Sequence, residues 1–288
     1  MTTDASASTP ATSAGSSTCP SAARLGDAGR GIAVSKRTDD YQRTNREFWD
    51  ADADDYQDAH TSQLDDGVEA WGVWQIPERD LQVLGEVDGA DVLELGCGAA
   101  QSSVQLAARG ARMTALDQSV GQLRHARDHV RAADAPVRLV CASATALPLR
   151  PESFDVVFCD HGAMSFTDPF ASVPEVQRVL RPGGLLAFNI STLLRFLCFP
   201  EADPDALVSR RLHQKAFGRR MFDWGDGTID FQMLHGDWIQ CFRTNGFDVE
   251  DLIELRAPKG ATTTYGEYAN YRWARRWPCE EIWKVRKR

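Results

Sequence analysis

From Asp91 onward the chain alternates two hydrophobic rhythms. Short apolar runs bounded by glycine or aspartate alternate with stretches whose apolar residues recur every three or four positions. Val92-Leu93-Glu94-Leu95 reads as a strand ending at Gly96, and Ala99 to Arg109 as a helix stopped by Gly110. Met113 to Leu116 is a second strand. Ser119 then caps a helix that places Val120, Leu123, Ala126 and Val130 on one face. Val137 to Cys141 and Phe154 to Phe158 are further strands, short and apolar as buried parallel strands are. A helix near Val173 to Leu180 stops at Arg181-Pro182-Gly183-Gly184, and Leu185 to Ile190 is a fifth strand. Tyr268 to Trp277 reads as a helix and Ile282 to Arg286 as a last strand. The pattern predicts an α/β fold with a doubly wound, mostly parallel sheet. Ligands of such sheets bind beyond the carboxyl ends of the strands, here just after Leu95, Leu116, Cys141, Phe158 and Ile190.

Residues 1–40 break the rhythm. Of the first 38 residues, 21 are Ser, Thr or Ala, and the first aromatic is Tyr41. Such a segment buries too little apolar surface to offset its chain entropy, so a disordered tail is expected, with a domain from 41 to 288. The tail has no apolar run after a basic start, which argues against a secretory signal.

The chain's 288 residues carry a net charge of −9, which argues against a generic nucleic-acid binder and against DNA as partner. Seven residues of the last 17 are basic, however, so an RNA contact by Lys284 to Arg288 stays open. No apolar run is long enough to span a bilayer, so no membrane partner is expected. Seven scattered cysteines with no C-x-x-C suit reduced thiols in the cytoplasm.

Chemistry enters at Gly96-Cys97-Gly98. A glycine pair between strand and helix permits a tight turn and close backbone approach to a ligand. Asp117 ends the next strand, 21 residues after Gly96, where a carboxylate can accept both hydrogen bonds of a ribose diol. The pair marks a nucleoside crevice. Gln101 stands where a dinucleotide fingerprint needs Gly or Ala, and no phosphate-loop motif occurs.

Val92-Leu93-Glu94-Leu95-Gly96-Cys97-Gly98 resembles motif I of the class I S-adenosylmethionine-dependent methyltransferases. Asp117, the stretch Ser143 to Leu149 followed by Ser153 to Val157, Val179 to Gly184 and Asn245-Gly246-Phe247 resemble that family's later motifs in order. The resemblance implies a Rossmann-like fold with a C-terminal antiparallel strand, cap helices over residues 41–80, a cofactor core over 91–190 and a lid inserted at 191–235. It implies S-adenosyl-L-methionine as cofactor and in-line methyl transfer to a small-molecule acceptor. Glu94, Gly96 and Gly98 would line the methionine end, Asp117 the ribose, Gln118, Ser143 and Ala144 the adenine, and Asp160 the amino group. Ala100 replaces a frequent third glycine, and Ser143 a frequent Asp.

Tyr56 and Trp74 are the aromatic residues expected to face the sulfonium, with plain packing as the alternative. The long insertion, with Phe196, Phe199, Phe217, Phe222 and Trp224, is the expected acceptor wall. His161, beside Asp160, is the general-base candidate and His235 a second; each could instead be structural. His125 and His129 are spaced i, i+4 but lack a third ligand, so no metal is expected. An RNA methyltransferase and a non-catalytic cofactor-binding regulator remain as alternatives. Neither the methylated atom nor the oligomeric state can be read from these residues.

Overall fold

Every apolar run expected to be a strand pairs with its neighbours, and all join one seven-stranded sheet. The computed structural model describes residues 38–64, 69–200 and 207–288. Its sheet strands are β1 (Asp91–Leu95), β2 (Arg112–Asp117), β3 (Val137–Cys141), β4 (Phe154–Asp160), β5 (Leu180–Ser191), β6 (Phe247–Leu255) and β7 (Glu280–Lys287). The spatial order is β6-β7-β5-β4-β1-β2-β3. β3, β2, β1, β4 and β5 are mutually parallel, while β7 runs antiparallel to both β5 and β6. The last strand is thus inserted one place in from the sheet's end, and β6 forms that edge. The helices of eight or more residues are α1 (Thr38–Ala51), α2 (Ala53–Leu64), α3 (Gln101–Ala108), α4 (Val120–Ala132), α5 (Pro169–Val179) and α6 (His235–Thr244). Apart from Thr38–Asp40, which begin α1, the expected tail over 1–40 lies outside the described residues.

The period of two along the strands builds two cores. Leu93, Leu95, Val157 and Phe188 are buried on one face with Val173 of α5 and Trp238 of α6. Val92, Met113, Val156 and Phe158 are buried on the other with Leu106 of α3 and Val87. Each large side chain so buried contributes about 1.5–3 kcal/mol. The cap helices are fastened through α4. Ser119 caps that helix by accepting from Gln122 N at 3.0 Å, and its hydroxyl donates to Asp50 Oδ1 of α1 at 2.8 Å.

Three elements differ from expectation. The helix predicted from Ala99 begins at Gln101, because Ala100 is its N-cap with a φ of 61°. Only Tyr271–Ala274 of the predicted Tyr268–Trp277 helix is helical; Asn270 caps it late, accepting from Trp273 N at 2.8 Å. Arg181–Gly184 loops out of β5, with Leu180 opposite Phe154 and Leu185 opposite Val156. The basic C-terminal residues are committed to the protein itself. Lys287 is buried and donates to Leu180 O at 2.8 Å, Arg286 pairs with Glu250 at 2.8 Å, and Arg288 lies 3.8 Å from Asp248. No helix among the described residues is long and apolar enough to cross a membrane.

Below the site, the turns after β1 and β4 meet backbone to backbone. A Cβ on Gly162 would collide with the carbonyl oxygens of Leu95 and Gly96, and one on Gly96 with the backbone of Gly162 and Ala163. Gly162→Ala should therefore cost about 1–3 kcal/mol as overpacking that no side-chain rotation relieves. Gly236, in α6, has open space around it and an ordinary φ. Gly236→Ala should be neutral or stabilising by up to about 1 kcal/mol. Urea unfolding of the two variants checks the contrast, and equal midpoints would overturn it.

Candidate functional site

The carboxyl ends of β1, β2 and β4 open into one cleft, about 1140 Å³ with its mouth included. Glu94, Gly96, Gly98, Asp117, Gln118, Ala144 and Asp160 all line it, so residues far apart in sequence share one wall. Gly96 is held at φ 73° and Gly98 at φ 52°, conformations that favour glycine. Asp117 is buried, and its carboxylate accepts from Gly98 N at 3.0 Å and Ser119 N at 2.8 Å. These bonds aim the carboxylate and still leave lone pairs for a diol. Glu94 is buried and accepts from Ser103 Oγ of α3.

Asp160, half-buried at the cleft wall, belongs to a second acid pair with the buried Glu280. Asp160 accepts from Gly72 N at 2.9 Å and from Asn189 Nδ2 at 2.7 Å. Glu280 of β7 accepts from Val73 N at 2.8 Å, Asn189 Nδ2 at 3.1 Å and His161 Nε2 at 2.7 Å. A side chain at residue 72 would collide with the Glu280 carboxylate, so glycine alone admits this approach. His161 sits at φ 50°, an unusual backbone conformation for a side chain of its size. Burial works against charge on its imidazole. The bond to Glu280 and the charges of Glu280 and Asp160 outweigh that, against an opposing push from Arg195, so its pKa is raised.

His161, Asp160, Trp49, Tyr56 and Phe166 also line a second pocket under the caps and the insertion. Among the described residues, eight aromatic side chains and five carboxylates line it. Tyr56 stands edge-on to Trp49 at 5.3 Å, and its hydroxyl shares a 2.7 Å hydrogen bond with Tyr265. His60 stacks on Tyr265 at 3.9 Å. Arg195 lies 3.8 Å over the ring of Tyr268. Phe199 and Trp224 of the insertion line the pocket, whereas Phe196 and Phe222 pack behind it and Phe217 faces solvent. Burial pushes the Tyr56 phenol up to about 12 and the Asp230 carboxyl up to about 6.

Three expected site residues lie elsewhere. Trp74 is buried away from both cavities, edge-on to Tyr271, with its indole donating to Cys279 Sγ at 3.3 Å; packing took it, because the turn that presents Gly72 and Val73 inward carries it past the cleft. His235 opens α6 at the protein surface and donates to Glu281 at 2.8 Å, outside both cavities. Ser143 is next to the lining residue Ala144, but its hydroxyl bonds Thr145 Oγ1 at 2.9 Å. Glu280, Asn189, Tyr265 and Tyr268 escaped the sequence reading. Their only signal there was polar or aromatic character in segments that looked like plain strand or helix. Among the described residues no cluster of His, Cys, Asp and Glu could hold a metal ion, and His125 instead meets Asp54 at 2.7 Å.

The comparisons agree with this architecture. Residues 93–188 match the methyltransferase domain family. A demethylmenaquinone methyltransferase of Mycobacterium sp. (strain JLS) is 44% identical over 103 residues, 36% of this chain and 42% of that one. The ubiquinone biosynthesis O-methyltransferase of Pseudomonas entomophila is 32% identical over 174 residues, 58% of this chain and 68% of that protein. The chain thus spans about two fifths of the first relative's length and about two thirds of the second's. The solved S-adenosylmethionine-dependent methyltransferase of Mesorhizobium loti shares the fold with a TM-score of 0.59 at 22% identity, over 72% of this chain and 95% of that one. The chain belongs to the class I S-adenosylmethionine-dependent methyltransferases.

The cleft suits that family's cationic cofactor, because Glu94 and Asp117 have no positive partner among the described residues. Burial pushes Glu94 from 4.5 up to about 8 and Asp117 from 3.8 up to about 6. The folded chain therefore keeps protons that the unfolded chain has released. This contribution to stability is complete below about pH 4 and is lost as pH rises through 6 to 8; the raised pKa of His161 has the same sign. The melting temperature of the ligand-free protein should fall between about pH 5 and pH 8.5, and Glu94→Gln should flatten the upper part of that fall. A melting temperature that climbs across this window would contradict the assignment.

Proposed function

We propose that this protein transfers the methyl group of S-adenosylmethionine, by in-line displacement, to a hydroxyl-bearing aromatic small molecule in the cytoplasm. The observation that carries the proposal is the shared wall. One cavity has the glycine turn and Asp117, the other is lined by aromatic rings and carboxylates, and the two meet at Asp160, His161, Trp49, Tyr56 and Phe166. A pocket set between α1, α2 and the 191–235 segment speaks for a small acceptor rather than RNA, and for catalysis rather than cofactor sensing alone. The committed C-terminal basic residues point the same way. The name of the ubiquinone biosynthesis O-methyltransferase, one of the relatives, supports a hydroxyl acceptor. The six described cysteines are free thiols, in keeping with a reducing compartment.

Bound in the cleft, the cofactor supplies an activated methyl group on a sulfonium. Asp117 would hold the ribose hydroxyls, Gly96 and Gly98 would let the backbone close on the methionine end, and Glu94 and Asp160 would offset positive charge. Gln118 and Ala144 would border the adenine. Trp49 and Tyr56 lie at the junction, where an aromatic face favours a sulfonium and excludes water. His161 would take the acceptor's hydroxyl proton on Nδ1 while Nε2–H stays bonded to Glu280, which fixes the tautomer and steadies the imidazolium. Glu280 is then a positioning residue.

Calorimetry should show binding of both S-adenosylmethionine and S-adenosylhomocysteine. Asp117→Ala should weaken it by roughly 10–100-fold, the worth of a charge-assisted hydrogen bond. No heat with either ligand would refute the cofactor assignment. His161→Asn preserves a residue that tolerates positive φ and should lower kcat by about 10²–10⁴-fold, with cofactor affinity within a few fold. A purely structural histidine would lower the melting temperature and leave turnover per folded molecule intact. The alkaline-rising limb of kcat should lie above the ordinary histidine value, and Glu280→Gln should move it down by removing the charge that raises it. An unmoved limb would show that Glu280 does not act through His161.

A further inference from the structure

The two segments that wall the acceptor pocket at Phe199 and Tyr268 carry, a few residues further on, a groove of opposite character. Arg210 and Arg211 line it from one segment, and Arg272, Arg275 and Arg276 from the other, with no carboxylate among its described lining residues. It measures about 1500 Å³ with its open mouth, on a chain whose net charge is −9. Arg275 donates to Ala257 O at 2.6 Å. The guanidiniums of Arg210, Arg211, Arg272 and Arg276 form no hydrogen bond or ion pair with any described residue. Elsewhere the protein pairs its guanidiniums closely: Arg181 spans Asp91 and Asp155 at 2.8 and 2.7 Å, and Arg178 meets Glu175 at 2.8 Å.

The groove is built rather than incidental. Trp273 is buried in its floor, and its indole donates to Ser209 O at 2.7 Å, tying the two arginine-bearing segments together. Ser209 N in turn donates to Cys198 O at 3.0 Å. Guanidiniums held side by side without counter-charge repel one another, and an incoming set of carboxylates or phosphates relieves that repulsion while forming bidentate pairs. The segment beside the groove also exposes Leu212 at 68% and Phe217 at 86%, apolar side chains that a folded chain gains by covering.

We propose that this groove docks an acidic protein partner, its carboxylates on the five arginines and its apolar side chains against Leu212 and Phe217. A lone phosphate would engage only part of the arginine set. RNA binding draws on free aromatic faces, whereas here Trp273 is buried and packs on Trp277, and the Tyr271 hydroxyl is bonded to Gly260 N at 2.8 Å. The acidic remainder of the surface repels an acidic partner everywhere else, which restricts it to this patch and orients it. A partner seated there stands beside the acceptor pocket's wall.

The test measures binding of a fluorescein-labelled amphipathic Glu/Leu helical peptide to the full chain, alongside poly-L-glutamate, a uridine oligomer, phosphatidylglycerol vesicles and pyrophosphate. The peptide should bind best and weaken with salt. Arg272→Glu/Arg276→Glu and Arg210→Glu/Arg211→Glu should each reduce its affinity by at least about tenfold, with melting temperature and S-adenosylmethionine affinity preserved. Phe217→Ser should weaken the peptide by several fold and leave poly-L-glutamate unchanged. Peptide affinity within twofold of the parent in both charge-reversed variants overturns the proposal. So does tighter binding of the uridine oligomer or the vesicles, or binding of pyrophosphate alone.

Discussion

The site rests on a buried carboxylate, Glu280, and a half-buried one, Asp160, that cannot stand unpaired. Asp160 ends β4 and Glu280 begins β7, and each would be expensive to bury without donors. Asn189 of β5 bridges them, His161 pairs with Glu280, and the backbone amides of Gly72 and Val73 complete the set. The same bonds that satisfy the acids therefore dock the segment between α2 and β1 onto the sheet. Glycine at 72 is the condition for that approach, since any side chain would meet Glu280. One polar cluster thus links the seating of the cap to the orientation of the imidazole.

Electrostatics divides the protein into zones. The cleft gathers Glu94, Asp117 and Asp160 in low dielectric, which holds protons on acids and prepares a place for positive charge. The adjoining pocket combines aromatic rings with carboxylates such as Asp52 and Asp230, and Arg195 is laid over Tyr268 there. Beyond that wall the arginines of the outer groove face solvent together. The wall consists of the insertion and the segment before β7, two parts that the sheet itself does not require. Fold and function separate here as in other α/β proteins: the sheet positions the strand ends, and the additions decide what meets them.

Much of this was legible in the residues. The short apolar runs named all five parallel strands to within a few residues, because a buried strand admits few alternatives to Val, Ile, Leu and Ala. The turn at Gly96 and the aspartate at 117 lie in one wall because both follow strands that are neighbours in the sheet, and this is a local signal. Helix ends were less legible. Ala100 and Asn270 shift them by two or three residues through backbone geometry that propensity does not report.

What the sequence by itself determined is the sheet, the cleft at its strand ends and the chemistry of Gly96, Gly98 and Asp117. Only the tertiary structure decided the rest. Trp74 and Tyr56 looked equivalent as aromatic residues of the cap, yet one is packed behind the cap turn and the other stands between the two cavities. His161 was the first candidate and His235 the second, and each pairs with a buried glutamate of β7, Glu280 and Glu281, yet only His161 lines the cavities. Adjacent residues on a strand point to opposite faces, so a single position in register settles which histidine reaches the site. No local pattern carries that information, because it is fixed by where the last strand of the chain slides between β5 and β6.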